Sequence, residues 1–191
     1  MELIGLAGPA RSGKDTVADI LEEVTPGRVE RDAFADRLKL IAALALGVSV
    51  HPDDVGRSGI RRWADRFKEA ESLAIIGPGG TVLSELSGRE FLQRLGAEAM
   101  RNVLGERVWI DAVPFERDCD LLLLTDVRYP NEAEAIREAG GEVWQVFRPG
   151  VTRANGHASE HPLPPTLVDR VVANDGTIAD LYERVREIRS A

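Results

Sequence analysis

The chain has 191 residues, a formal charge of -8, and 43% hydrophobic against 29% charged residues, a balance that suits one globular domain with a sizeable core and excludes disordered and fibrous classes. No apolar run approaches the roughly 18 residues of a membrane span, no basic-then-apolar leader is visible, and the acidic balance disfavours a nucleic-acid polymer as partner. A single cysteine, Cys119, excludes an internal disulfide framework and a cysteine zinc cluster, so the expectation is a cytoplasmic protein with no membrane partner.

Read in chain order, "ELIGLA" at 2–7 is a short apolar run of the kind that forms a buried strand. Over 16–24 the period changes, and Val17, Ile20, Leu21 and Val24 fall on one helical face. After "TPGR" a second strand is expected over 29–34, then a helix over 36–46 with Leu38, Ile41, Ala42 and Ala45 inward and Gly47 as its stop. Residues 57–76 read as one further helix, with Trp63, Phe67, Ala70 and Ala74 at helical spacing, and "GPGG" at 77–80 breaks it. Ser87 and Glu90 form a capping box heading a helix whose Phe91, Leu92, Leu95, Ala99, Val103 and Leu104 make a core stripe, which Gly105 ends.

The second half alternates more plainly. "DLLLLTDVRYPNE" at 120–132 contains a continuous apolar strand, Asp126 marks its carboxyl end, and Asn131 caps the helix that follows. Gly140 and Gly141 close that helix, "EVWQVF" supplies another strand, and a polar, proline-rich loop runs over 148–166. "RVVAN" is a last short strand, and Thr177 caps a final helix with Ile178, Leu181, Val185 and Ile188 inward. Strands alternating with helices define an α/β protein with a parallel sheet flanked by helices.

Between the first strand and the first helix lies "GPARSGKD", where Gly8, Gly13 and Lys14 satisfy the Gly-x4-Gly-Lys pattern of a phosphate-binding loop. The flanking elements are the ones that pattern needs, because loop amides and a helix N-terminus must converge on phosphate oxygens while the lysine reaches the outer phosphates. Asp15 stands where a serine or threonine hydroxyl usually coordinates magnesium. It offers a hard carboxylate oxygen in that role, with the Thr16 hydroxyl one residue on; it also suits the positive end of a helix on structural grounds alone. Asp126 occupies the strand end where a second carboxylate can organise magnesium, although aspartate is also a common turn residue. Of the 24 basic residues only Lys14, Lys39 and Lys68 are lysines, and arginine's planar fork suits phosphate. Arg128 is better placed for an anion than for packing, and Arg89, Arg94 and Arg101 stand on the middle helix. Trp63 and Trp109 are candidates for stacking a base, with core packing the commoner fate of a tryptophan. His157 and His161 lie four apart in the proline-rich loop without a further metal ligand nearby, which favours polar loop contacts over zinc.

Several stretches together resemble the deoxynucleoside monophosphate kinase family of phages over most of the chain: "GPARSGKDTVAD", "FADRLK", "LQRLGAEAMR" followed by "VWI", "TDVRYPNEAEAI" with "GGEV", "HASE", and "ANDGTIADL". A loop ending in Gly-Lys-Asp is itself typical of that family. The resemblance implies a single P-loop kinase domain over 1–191, with a helical acceptor region at about 35–110 and a lid at about 148–166. It also implies phosphoryl transfer from ATP, with Mg2+, to a deoxynucleoside monophosphate, commonly by a homodimer, in the host cytoplasm if phage-encoded. Carried over by position, it puts ATP on Gly8, Arg11, Ser12, Gly13, Lys14, Asp15 and Thr16, with Asn174 on the base side. The acceptor falls near Phe34, Asp36, Lys39, Arg89, Gln93, Arg94, Glu98, Arg101, Trp109 and Arg128. Arg148, Arg153, His157, Ser159 and Glu160 become lid residues, Asp15, Thr16 and Asp126 the magnesium set, and Lys14, Asp15, Asp126 and Arg128 the catalytic group. Two other readings stay open: a kinase of another small phosphorylated metabolite, of the phosphomevalonate kinase type, and a noncatalytic nucleotide-binding switch.

Overall fold

The computed structural model describes residues 1–47, 58–69, 73–76, 80, 82–151 and 162–190. The chain divides into two compact units, one formed by Met1–Ala33 with Val113–Ala191 and the other by Phe34–Ala112.

The first unit is built on five strands, β1 (Glu2–Ala7), β2 (Val29–Asp32), β5 (Leu121–Val127), β6 (Glu142–Phe147) and β7 (Arg170–Ala173). They lie side by side in the order β2-β5-β1-β6-β7, and every pairing is parallel. β1 is central: Ile4 stands opposite Leu123 on one side and Glu142 on the other. Parallel strands require long crossovers, and α1 (Lys14–Val24) and α7 (Pro130–Glu138) lie in two of them, while α8 (Ile178–Ser190) follows the last strand. Four consecutive leucines, Leu121 to Leu124, are completely buried because both faces of the sheet are covered. Leu121 and Leu123 join Val17, Leu21, Leu181 and Val185 in the core beneath α1 and α8. Toward α7 the approach is closer still, since a Cβ on Gly5 would strike the Ile136 side chain. The expected P-loop-type parallel sheet flanked by helices is therefore the fold, and one consequence is functional: all five strands end at the same edge.

The second unit contains α2 (Phe34–Ala45), α3 (Ser58–Lys68), an antiparallel hairpin of β3 (Leu73–Ile76) and β4 (Val82–Leu86), α4 (Gly88–Gln93), a π-helix over Arg94–Arg101, and the short α5 (Asn102–Leu104) and α6 (Val108–Asp111). Trp63 stacks on Phe67 at 4.8 Å, and Phe67 meets Phe91 edge-on at 5.8 Å, which joins α3 to α4. Two expectations are corrected here. The helix read over 57–76 stops at Lys68, and Leu73–Ile76 is a strand pairing with Val82–Leu86; the break read at 77–80 lies, Gly80 apart, outside the described residues. The capping box of Ser87 and Glu90 is present, but the apolar stripe of the following helix fails after Leu95. A π-helix closes i to i+5 hydrogen bonds, so each turn holds more residues and the phase of a 3.6-residue stripe is lost; Val103 and Leu104 consequently stand 74% and 63% exposed.

The two ends of that stripe should behave differently. Leu92→Ala should cost about 2–5 kcal/mol, whereas Val103→Ser should stay within about 0.5 kcal/mol. Urea denaturation of both variants decides it: equal losses would mean that the stripe keeps its α-helical phase.

Candidate active site

The segment joining β1 to α1 is a tight loop in which Gly8, Arg11 and Gly13 have φ of 143°, 65° and 100°. Only glycine takes such values without steric cost. Close approach restricts the position too, because a Cβ on Gly8 would lie 2.6 Å from the Val146 carbonyl oxygen. Gly13 sits at the N-cap of α1 and supplies no side-chain cap, which leaves the first-turn N–H groups of an 11-residue helix facing an anion site. Lys14 Nζ donates to the carbonyls of Gly8 at 2.9 Å and Pro9 at 2.8 Å, so its ammonium lies over the loop that the motif assigns to phosphate. Ser12 is fully buried, and its Oγ has no hydrogen-bond partner. Asp15 is exposed and Thr16 half-buried on the first helical turn.

Strand register brings a second set of residues to the same edge. Ala7, the residue before the loop, pairs with Val127, which lies between Asp126 and Arg128 in the chain. Asp126 is half-buried and Arg128 exposed. The turn that carries them is fastened by a residue not singled out from the sequence: Glu132 is 2% exposed, and its Oε2 accepts from the backbone N–H of Arg128 at 2.8 Å and of Tyr129 at 3.1 Å. The expected cap at Asn131 is thus corrected. Tyr129 is the N-cap, Pro130 opens the helix, and Asn131 already lies within its first turn. Asp32, at the end of β2, is also a buried carboxylate; it pairs with Arg117, which holds Glu30 as well at 3.0 Å.

In the helical unit, Asp36 accepts from Lys39 Nζ at 2.8 Å and from Arg61 through both carboxylate oxygens at 2.6–3.1 Å. Burial alone would raise its pKa, but the Arg61 hydrogen bonds and the charge of Lys39 outweigh that and hold it below the ordinary carboxylate value. Asp36 therefore orients two cations, of which Arg61 carried no signal in the sequence beyond its place on a helix. Arg89, Arg94 and Glu98 are exposed, and Gln93 is half-buried. Arg101 is buried and donates to the Glu106 carbonyl at 3.2 Å. Phe34 is buried at the start of α2. Trp109, at 4% exposure, is core: its indole N–H donates to the Gly96 carbonyl at 3.0 Å, inside the π-helix. Of the two fates open to this tryptophan in the sequence, its burial matches core packing.

Asn174 follows β7, and its Nδ2 donates to the Ser12 carbonyl at 2.9 Å. Arg148 is exposed beyond β6, while Arg153, His157, Ser159, Glu160 and His161 lie outside the described residues. Among the described residues no three His, Cys, Asp or Glu side chains gather as a metal cage. The oxygen set of Asp15, Thr16 and Asp126 fits magnesium, which uses one or two carboxylates and takes its other ligands from water and substrate phosphate.

Comparison with known proteins decides the family. The model of the deoxynucleotide monophosphate kinase family matches residues 74–185. The chain belongs to this family. Among its relatives, a deoxynucleoside-5'-monophosphate kinase of Escherichia phage T5 is 29% identical over 90% of this chain and 89% of its own length. A putative deoxynucleotide monophosphate kinase of Acanthamoeba polyphaga mimivirus is 28% identical over 97% and 94% of the two chains, and a deoxynucleotide monophosphate kinase of Enterobacteria phage T4 is 24% identical over 97% and 98%. The mimivirus and phage T4 alignments cover 97% of the chain and so include the glycine loop, which precedes the residues matched by the family model.

Within this member of the deoxynucleotide monophosphate kinase family, Glu132 should be a stability residue. Two N–H groups depend on one buried carboxylate, so Glu132→Ala should cost roughly 1.5–3 kcal/mol. Urea denaturation at neutral pH measures it, and an unchanged midpoint would mean that water replaces the carboxylate without loss.

Proposed function

We propose that the chain transfers the terminal phosphoryl group of ATP, with magnesium, to the phosphate of a deoxynucleoside 5'-monophosphate, giving the diphosphate. The observation that carries this reading is the Gly8–Thr16 loop at the carboxyl edge of the sheet, with Lys14 folded over it at 2.8–2.9 Å from two loop carbonyls, in a chain of this family.

An acceptor oxygen attacks the γ-phosphorus as the bond to the bridging oxygen of ADP breaks. The acceptor phosphate, with a second pKa of about 6, is largely dianionic at pH 7 and needs no strong general base. The protein's task is positioning and charge neutralisation. Loop amides hold the inner phosphates, and Lys14 draws charge from the transferring group. Asp15, Thr16 and Asp126 are the residues proposed to hold magnesium, which would supply further charge neutralisation at the bridging and terminal oxygens. Arg128, with Arg89, Arg94 and Lys39, is assigned to the acceptor; Asp36 and Trp109 act there by orienting neighbours. Arg148, Arg153, His157, Ser159 and Glu160 are proposed as lid residues, and a cytoplasmic homodimer is the proposed assembly.

An ATP-consumption panel over deoxy- and ribonucleoside monophosphates, with phosphomevalonate as an outside acceptor, tests the reaction. Turnover should appear with one or more deoxynucleoside monophosphates, and Lys14→Met should lower kcat by about 10²–10³-fold; binding of ATP without turnover on any acceptor would leave only the nucleotide-binding switch.

The arginine assignment has its own test. Arg128→Lys keeps the charge and loses the planar fork, so kcat/KM for the acceptor should fall about tenfold, equivalent to one charge-assisted hydrogen bond, while direct ATP binding stays unchanged. Steady-state kinetics at saturating ATP read the effect, and a loss confined to ATP binding would remove Arg128 from the acceptor site.

A further inference from the structure

We infer that Asn174 is a positioning residue for the phosphate loop: it braces the loop backbone from the neighbouring strand end and sets triphosphate affinity independently of the nucleotide base. The inference rests on the reading of Gly8–Thr16 as the triphosphate site. Asn174 and Ser12 are 162 positions apart, yet the Asn174 amide donates to the Ser12 carbonyl at 2.9 Å. The same side chain lies directly over Gly13, where any Cβ would collide with Nδ2. Its φ of 100° calls for glycine at position 13, and a Cβ there would push the amide aside and break its bond to Ser12.

The brace itself is held firmly. Asn174 N–H donates to the Phe147 carbonyl at 2.7 Å, which extends the β6–β7 ladder by one residue. Arg184, on α8, donates to the Ala173 carbonyl and to Asp175 Oδ1. Thr177 and Asp180 then cap α8 reciprocally, with Thr177 N–H at 2.8 Å from the Asp180 carboxylate and Asp180 N–H at 3.2 Å from the Thr177 hydroxyl. Residues 173–180 thus form a fixed support on the sheet, and the Asn174 side chain is its contact with the loop.

What it holds is a loop with two glycines and Arg11 at positive φ, a backbone that lacks a regular hydrogen-bond ladder of its own. Its Ser12 N–H bonds to the Pro9 carbonyl at 3.2 Å, and the Ser12 side chain contributes no hydrogen bond. A donor on the Ser12 carbonyl fixes the peptide immediately before Gly13, whose orientation decides where the first amides of α1 point. Those amides face phosphate, so loosening this peptide weakens the triphosphate and leaves acceptor binding alone. A contact with the base would have the opposite signature: it would matter for ATP and not for a ligand without a base.

The test is calorimetric titration of ATP and of inorganic tripolyphosphate, in the same magnesium buffer and without acceptor, into the parent, Asn174→Ala and Asn174→Leu. Leucine keeps the bulk over Gly13 and removes the donor, so it carries the comparison if the alanine variant unfolds. The expected result is a loss of about three- to tenfold for both ligands alike, with the acceptor KM and the thermal midpoint unchanged. A loss for ATP alone would make Asn174 a base contact and overturn the proposal, as would full affinity for both ligands. Failure of the parent to bind tripolyphosphate while binding ATP would overturn the phosphate reading of the loop itself, and the brace with it.

Discussion

The constraint on which the rest depends is that an anion must be held by the main chain between β1 and α1. Backbone N–H groups converge only if some residues turn left-handed, and a loop of that shape has to be wedged between its neighbours to stay in place. Gly8 abuts the Val146 carbonyl of β6, and Gly13 abuts Asn174 beyond β7. The central position of β1, with a parallel partner on each side, is what presents the loop to both. Even the burial of four leucines in β5 contributes, because it fixes the strand whose end sets Val127, the residue after Asp126, opposite Ala7.

Under the proposed function electrostatics sets a demand on the site. Two phosphates would have to approach each other in a chain of net charge -8, which requires locally fixed cations. At 4 Å, like unit charges repel by about 1 kcal/mol in water and about 4 kcal/mol near a protein surface. Within the helical unit Asp36 binds Arg61 and Lys39 together, which leaves one positive charge in excess; in the sheet unit Arg117 is outweighed by Asp32 and Glu30 and brings no net positive charge. Such pairing limits the rotamers of long side chains, which otherwise lose about 2 kcal/mol of entropy when a ligand orders them.

Much of this was legible in the sequence where one local signal had one physical meaning. β1, β5, β6 and β7 are apolar runs bounded by turn residues, and the phosphate loop declares itself through its glycines and its lysine. Where a signal admitted two structures, the reading failed. "LAII" fits a buried helix turn as well as a strand, and only pairing with Val82–Leu86 selects the strand. The π-helix could not be read from periodicity, because its cause is tertiary: the Trp109 indole takes up the Gly96 carbonyl, and Gly96 itself leaves room for Leu38, which would lie 2.7 Å from a Cβ there. Glu132 was not singled out from the sequence, and Asn174 entered only through the family resemblance, as a base-side contact; their hydrogen-bond partners lie on backbone atoms, which leave no mark in the identity of the residues they belong to.

Asp15 is the remaining departure from the common loop pattern, and its consequence follows from charge. A serine hydroxyl beside a triphosphate is neutral, whereas a carboxylate there repels it. The positive N-terminus of α1 offsets part of that, about 0.3–1 kcal/mol for an exposed group, which is less than the repulsion expected at close range. Under the proposed function the balance reverses only when a divalent cation stands between carboxylate and phosphate, since both then face positive charge. Under that proposal an aspartate on the exposed first turn of α1 would make the loop favour the magnesium complex over the triphosphate alone.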